Sequence, residues 1–272
     1  MPELPEVETI ARTLREGRGA PALLGRRIED VRVLWPREVH GLAVDAFVAA
    51  VNGAYVAQVG RVGKYLIVEL QRGAVRRPML IHLRMSGRLD VLSAADAFTK
   101  HARVVWLLDG GLALRFDDAR KFVRVYLPEH IDDVVGHIGP DALQIGADEF
   151  LQRLRDRRGV LKSLLLDQHF IAGVGNIYAD ESLFRAGLHP LRAAHTVAEN
   201  DARALFDAVR AVLFEGIEAN GASFDWVYPG GNFQNNFRVY GRTDQSCVQC
   251  GRPIQRIVVA QRSTHFCAVC QR

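Results

Sequence analysis

No cysteine occurs in the first 246 residues, and the four present all fall between Cys247 and Cys270. Scattered pairs that could form a disulfide framework are therefore absent. Four thiols packed into one short stretch point to a metal site instead. No run of about 18 apolar residues exists, which excludes an obvious membrane helix. The opening MPELPEVETI lacks a basic region followed by an apolar core, so it does not read as a secretory signal. A reduced, cytoplasmic protein with no membrane partner is the expectation. Charge of one sign is also scarce: 35 Lys+Arg against 31 Asp+Glu leave only +4 on 272 residues. This permits an anionic partner without requiring one. With 49% hydrophobic and 24% charged residues, the composition is that of a folded globular chain rather than a disordered one.

Along the chain the texture changes twice. Val7, Ile10, Ala11 and Leu14 keep the spacing of a buried helical stripe. Glu3, Glu6 and Glu8 favour the positive end of such a helix, and Pro2 and Pro5 lie where missing amide protons cost least. From about Ile28 to Leu127 short β-type runs follow, among them Lys64–Leu70, Met79–Leu83, Arg103–Leu108, Leu112–Phe116 and Phe122–Leu127. Beyond His130 the pattern turns helical, over Ala147–Arg158, Val160–Gln168, Asn176–Ala186 and Val197–Asn220. Ser223–Phe237 reads as a loop rich in Gly, Asn and aromatics. The expected organisation is multidomain α+β: an antiparallel β-sandwich with an N-terminal helix over 1–130, a helical domain over 131–236 and a small tail over 237–272.

Three segments carry chemical signals. Cys247-x-x-Cys250 and Cys267-x-x-Cys270, with 16 residues between the pairs, match a four-thiolate zinc site. Four thiolates leave no open position, so one structural zinc ion is expected, stiffening a hairpin in which Ile254–Ala260 forms one arm. From Arg238 to Arg272 there are six Arg, no Lys and one Asp, a local +5 suited to phosphate oxygens. Ala172-Gly-Val-Gly-Asn176 is a tight turn into a helix. Asn176 there is either a helix cap or, with the backbone N–H groups, a phosphate ligand. Pro2 becomes a secondary amine once Met1 is removed. An α-amine has a reference pKa of about 8, so a useful fraction is unprotonated near neutrality. Such an amine condenses with an aldehyde-level carbon to a charged iminium, and Glu3 beside it could shuttle protons.

Met1-Pro-Glu-Leu-Pro-Glu-Val-Glu-Thr9, Ala172-Gly-Val-Gly-Asn-Ile-Tyr-Ala-Asp-Glu181 and the four-cysteine finger occur together, in this order, across the whole chain. In this the chain resembles the formamidopyrimidine-DNA glycosylase branch of the Fpg/Nei family. The resemblance implies a helix-two-turn-helix domain after the sandwich, a β-hairpin zinc finger, damaged double-stranded DNA as partner and a monomer. It implies a nucleophilic Pro2, Glu3 as the acid that assists sugar opening, and Glu6 as a supporting carboxylate. Lys64, His101, Asn176 with Tyr178, and Arg262 are implied as DNA-backbone ligands. Met85, Arg120 and Phe122, on the loops His82–Gly87 and Asp118–Phe122, are implied to fill the space left by an extruded base. Without the resemblance, Met85 and Phe122 read as ordinary core residues.

The implied activity is a bifunctional glycosylase and abasic-site lyase for oxidised purines, in a bacterial cytoplasm at the nucleoid. The chain departs from the family pattern in three places. Arg84 stands where some members have Gly, and Asp118-Ala-Arg-Lys-Phe-Val123 stands where many have Asp-Pro-Arg-Arg-Phe-Gly. The Ser223–Phe237 loop is shorter than the family's lesion-covering segment. A preference for oxidised pyrimidines, a catalytically silent damage binder and a general zinc-finger binding module are the rival expectations.

Overall fold

The computed structural model describes residues 1–223 and 230–272. Six of the 15 residues of the Ser223–Phe237 loop, 224–229, thus lie outside the described residues. The chain divides into two compact units, and the boundary after His137 is the main one.

In the first unit, helix α1 (Leu4–Glu16) buries Val7, Ile10, Ala11 and Leu14, the stripe expected from spacing. Residues Glu3–Pro5, where that helix begins, belong with the second unit. The remaining elements are β1 (Ile28–Val33), β2 (Val39–His40), α2 (Val44–Val51), β3 (Tyr55–Val62), β4 (Tyr65–Arg72), β5 (Val75–His82), β6 (Gly87–Ser93), β7 (Ala102–Leu108), β8 (Leu112–Asp118), β9 (Arg124–Tyr126) and the short α3 (Asp132–Val135). They form a four-stranded sheet, β1-β7-β8-β6, and a five-stranded sheet, β2-β9-β5-β4-β3. Every pairing is antiparallel except the two-residue contact of β2 with β9. Val104, Trp106 and Phe116 of one sheet and Leu66, Val68 and Ile81 of the other share one apolar core with α1. In β4 the alternation is visible residue by residue, with Leu66, Val68 and Leu70 buried and their neighbours half-exposed.

The second unit holds α4 (Ala147–Arg155), α5 (Leu161–Leu166), α6 (Asn176–Arg185), α7 (Glu199–Glu218), β10 (Gln255–Val259) and β11 (Arg262–Phe266). Leu205, Val209, Val212, Leu213 and Ile217 of α7 supply the apolar face read from the sequence, and Leu4 sits in the same core. The β10–β11 hairpin turns through Ala260 and Gln261, both at positive φ (48° and 59°), as a two-residue hairpin turn requires. A smaller cluster of Phe184, Val239, Cys247, Ile254 and Cys267 ties this hairpin to the end of α6. Among the described residues no helix is long and apolar enough to cross a membrane.

Candidate active site and nucleic-acid interface

In the second unit the site is built around the start of α6. The Glu3 carboxylate accepts the backbone N–H groups of Ile177 (3.1 Å) and Tyr178 (3.5 Å), two of the donors a helix N-terminus leaves unpaired. The turn before the helix is shaped to admit this carboxylate. A Cβ on Gly175 would stand 2.5 and 2.6 Å from the two Glu3 oxygens. Gly173, at φ +108°, faces the Leu4 side chain and accepts the Leu4 N–H on its carbonyl (3.1 Å). The glycines of Ala172–Asn176 thus make room for the chain's own N-terminal residues, and the expected backbone-to-phosphate cradle is occupied by Glu3.

Asn176 is the first helical residue and Gly175 holds the cap position, so the cap reading of Asn176 is corrected. Its side-chain amide instead donates to the Ser263 carbonyl (2.9 Å), which places Asn176 beside Arg262 across 86 residues of sequence. Asn176 also hydrogen-bonds Tyr240, whose phenol is pushed up by burial, with that bond opposing the shift. Tyr178 requires a second correction. It is fully buried, its ring stacks on Phe233 at 5.2 Å, and it lies in the unit's core rather than on a surface that DNA could reach. Tyr240 is the half-buried tyrosine beside Asn176, and sequence reasoning missed it.

Three further charges, none of them singled out in the sequence, hold this arrangement. Lys162 is fully buried and donates to Asp180 Oδ1 (2.6 Å) and to the Asn176 carbonyl (2.9 Å). Burial pushes its ammonium down, and Asp180 opposes that shift. The second Asp180 oxygen accepts the backbone N–H of His265 (2.9 Å) and lies 3.1 Å from its Nδ1. Glu181 accepts the N–H groups of Arg238, Val239 and Tyr240. Burial raises its carboxyl, and these three bonds counter the rise. Consecutive carboxylates on α6 therefore fix the hairpin that carries Arg262 and the segment that carries Tyr240.

The sulfur atoms of Cys247, Cys250, Cys267 and Cys270 all lie within 4.8 Å of one another. Tetrahedral Zn–S bonds of about 2.3 Å put sulfurs roughly 3.8 Å apart. The separations of 3.9 Å (Cys247–Cys270) and 3.4 Å (Cys250–Cys267) bracket that value. Gly251, at φ +73°, turns the chain after the first pair, and Gln271 closes the second by accepting the Cys267 N–H (2.8 Å).

In the first unit, two loops meet on the Asp118 carboxylate. It accepts the Ser86 hydroxyl and the backbone N–H groups of Arg120 (3.0 Å), Phe122 (2.6 Å) and Val123 (3.1 Å). Arg120 reaches Met85 Sδ (3.2 Å) and lies over the Phe122 ring at 5.0 Å. Met85 and Phe122 are 41% and 51% exposed, so the reading of both as core residues is overturned. The structure instead presents an apolar pair with a guanidinium at an exposed loop tip. His101 ties into the same loops through its carbonyl, which accepts the Asp118 N–H (2.8 Å). Val123 packs where a Cβ on Gly87 would meet its Cγ1 at 2.6 Å, so Gly87 has no room for a side chain. Lys64 sits, mostly buried, in the turn between β3 and β4. Near it, burial together with Arg84, Lys64 and Arg124 pushes His82 down to about 3, so that imidazole is neutral at any physiological pH. Pro2 and Glu6 are buried, and Met1 is exposed.

The fold and these features define a multidomain α+β protein with a four-thiolate finger locked to a helix N-terminus. Residues 1–125 match the formamidopyrimidine-DNA glycosylase N-terminal domain, 138–226 match its H2TH domain, and 244–272 match the zinc finger found in FPG and IleRS. Formamidopyrimidine-DNA glycosylases of Herpetosiphon aurantiacus and Chloroflexus aggregans are 41% and 43% identical to the chain. Each alignment covers all of this chain, with 100% and 98% of the respective relative. Two solved Lactococcus lactis Fpg structures superpose over 99% of both chains. One, a variant in complex with a Fapy-dG containing DNA, has a TM-score of 0.90 at 33% identity; the other, with an abasic site containing DNA, scores 0.89 at 32%. The chain belongs to the formamidopyrimidine-DNA glycosylase family. Its four cysteines fit a single structural zinc ion, which when bound supplies the cross-link that so small a hairpin lacks.

Proposed function

We propose that this protein is a bifunctional DNA glycosylase and abasic-site lyase of base excision repair, acting on formamidopyrimidine and 8-oxoguanine in double-stranded DNA. The observation that carries the reading is the seat of Glu3: a carboxylate fixed on the first amides of α6, one residue after the proline whose nitrogen becomes a secondary amine when Met1 leaves. The relatives act on such lesions by name, and the solved neighbours hold Fapy-dG or abasic-site DNA. These relatives are bacterial, which supports a cytoplasmic place of action at the chromosome.

In this reading the Pro2 nitrogen bonds to C1′, and the glycosidic bond breaks with its electron pair leaving on the base. Glu3 gives a proton to the ring oxygen as the sugar opens, which leaves an iminium on C1′. Loss of a C2′ proton into that electron sink expels the 3′-phosphate. A second elimination expels the 5′-phosphate and leaves a one-nucleotide gap. Glu6 supports Glu3 through the first turn of α1. Lys64, His101, Asn176 and Arg262 hold backbone phosphates, with Tyr240 in the place first given to Tyr178. Met85 and Phe122 take the stacking position of the extruded base, and Arg120 pairs with the orphaned partner. Residues 1–130 serve as the catalytic domain, 131–236 as the helical DNA-binding domain and 237–272 as the finger.

Rates on duplexes carrying 8-oxoguanine, formamidopyrimidine or thymine glycol test the substrate class. Faster release of the two purine lesions is expected, and a thymine glycol preference overturns that part. Borohydride reduction on an abasic duplex tests the lyase. A covalent adduct from wild type and none from Pro2→Gly is expected, and equal adducts from both contradict the role of Pro2.

A further inference from the structure

Beside the His82–Gly87 loop, which contributes Arg84, the first unit carries a cleft of about 580 Å³ at one end of the five-stranded sheet, within the size range of small-ligand sites. Strand register explains its lining. Tyr65 pairs with His82, His82 with Arg124, and Tyr126 with His40. Residues opposite each other on paired strands share a face, so these five side chains stand on one side of the sheet. Leu66, Ile81 and Val125 point the other way, into the sandwich core. The result is an aromatic floor. His40 and Tyr126 have ring centroids 5.2 Å apart and planes 30° apart, and Tyr65 and Tyr126 lie 6.4 Å and 56° apart; buried His82 stands edge-on to Tyr65 at 4.7 Å and supports the floor without lining the cleft.

Three guanidiniums, from Arg77, Arg84 and Arg124, line the same cleft. The one acidic lining residue, Asp133, is engaged in accepting the His130 N–H (3.0 Å). Arg77 is partly engaged too, through its donation to the Pro128 carbonyl (3.2 Å). Burial, followed by the charges of Arg124 and Arg84, holds His40 below its ordinary range, so the floor stays neutral while the walls are cationic. Arg84 adds a second, independent signal: its φ is 53°, a left-handed backbone that a long side chain adopts at a cost and glycine adopts freely. A guanidinium kept on strained backbone beside a stacking surface is the kind of outlier that marks a binding site.

We propose that this cleft is a second nucleic-acid site that takes one unpaired nucleotide, its base on the Tyr65–Tyr126–His40 floor and its phosphate on Arg84 and Arg124. Flat aromatic faces accept any base, and forked guanidiniums match phosphate oxygens. The site is separate from the void-filling tip formed by Met85, Arg120 and Phe122, none of which lines it.

The test titrates the full-length protein with dGMP, followed by backbone NMR shifts. Saturable shifts grouped at His40, Tyr65 and Tyr126 are expected, with deoxyguanosine and inorganic phosphate each binding more weakly than dGMP. Arg84→Gly removes the guanidinium and relieves the backbone. It should weaken dGMP about tenfold or more while leaving the melting temperature equal or higher. Arg124→Ala, at an exposed position, should weaken it similarly, and Arg262→Ala should leave it unchanged. A single-stranded trinucleotide binding well above dGMP identifies a strand as the source, and equal affinities identify a free nucleotide. The proposal is overturned by an absence of saturable shifts at low-millimolar dGMP or by inorganic phosphate binding as tightly as dGMP. Unchanged affinity in both Arg84→Gly and Arg124→Ala overturns it as well.

Discussion

The two units hold their candidate residues by opposite means. In the first, one carboxylate, Asp118, gathers the backbone of its own loop and the Ser86 hydroxyl of the other, and leaves Met85, Arg120 and Phe122 exposed at the tip. In the second, buried charges do the holding: Lys162 on Asp180, Asp180 on His265, and Glu181 on three successive amides. The role proposed for the loops, meeting DNA by shape and stacking, suits an exposed tip. The α6 junction must keep Glu3, Asn176 and Arg262 in one fixed relation. Buried ion pairs contribute little net stability for their cost, but they specify position, and loss of either partner is severe.

That contrast can be broken most forcefully at the finger. Cys267→Ser, or stripping with a strong chelator, should remove the zinc, whose binding free energy in such fingers is about 10 kcal/mol or more. It should also abolish tight DNA binding while the first unit stays folded. Metal content and a DNA titration check this; full DNA affinity in metal-free protein would argue against a structural role.

Lys162→Met strands the Asp180 charge and should cost about 3–5 kcal/mol of unfolding free energy in denaturant melts. Asp180→Leu added to it should return part of that loss by removing the stranded charge, the remainder being the His265 contacts it also gives up. If the double variant is no better than the single one, the pair is not what holds α5 to α6.

Gly175→Ala forces a methyl against the Glu3 carboxylate and should cost about 1–3 kcal/mol. Because it displaces Glu3 itself, turnover on an 8-oxoguanine duplex should fall about 100-fold, with duplex affinity nearly intact. Comparing single-turnover rates with binding constants separates the two effects.

The smallest effect concerns Glu38, buried beside Asp118 with Oε1 unpartnered among the described residues. Burial, and then the Asp118 charge, push its carboxyl up to about 7. The folded protein therefore binds more protons than the unfolded chain between the unfolded carboxylate value and about pH 7, and stability falls as pH rises through that window. Glu38→Gln should gain roughly 1–2 kcal/mol over wild type at pH 8, and the difference should vanish near pH 4. A gain independent of pH would contradict the assignment.

Strand β4 was legible in the sequence because its alternation is written locally, β5, β7 and β8 because short apolar runs fall between turn signals, and the α1 stripe because of its helical spacing. Helix α2 was not, since Val44–Val51 is almost wholly apolar and lacks a polar cap, leaving no period to separate helix from strand. The four thiols were legible from spacing alone. Met85 and Phe122 looked like core because exposure depends on a loop carboxylate more than 30 positions away from Met85. Tyr178 looked like a surface ligand because its stacking partner, Phe233, is 55 residues further on. Lys162, Asp180 and Glu181 resembled ordinary surface charges, as a buried ion pair has no local signature. Tyr240 escaped notice for the same reason, since its contacts with Asn176 and Glu181 are made by folding.

The proposed chemistry turns on the nitrogen of Pro2. The most direct measurement is borohydride trapping of Met1-free protein on an abasic duplex, followed by proteolysis and mass spectrometry of the cross-linked peptide. A single reduced adduct on the N-terminal peptide, at Pro2, is expected, and none when Met1 is retained. An adduct on a lysine, or an equal yield from protein that keeps Met1, would contradict it.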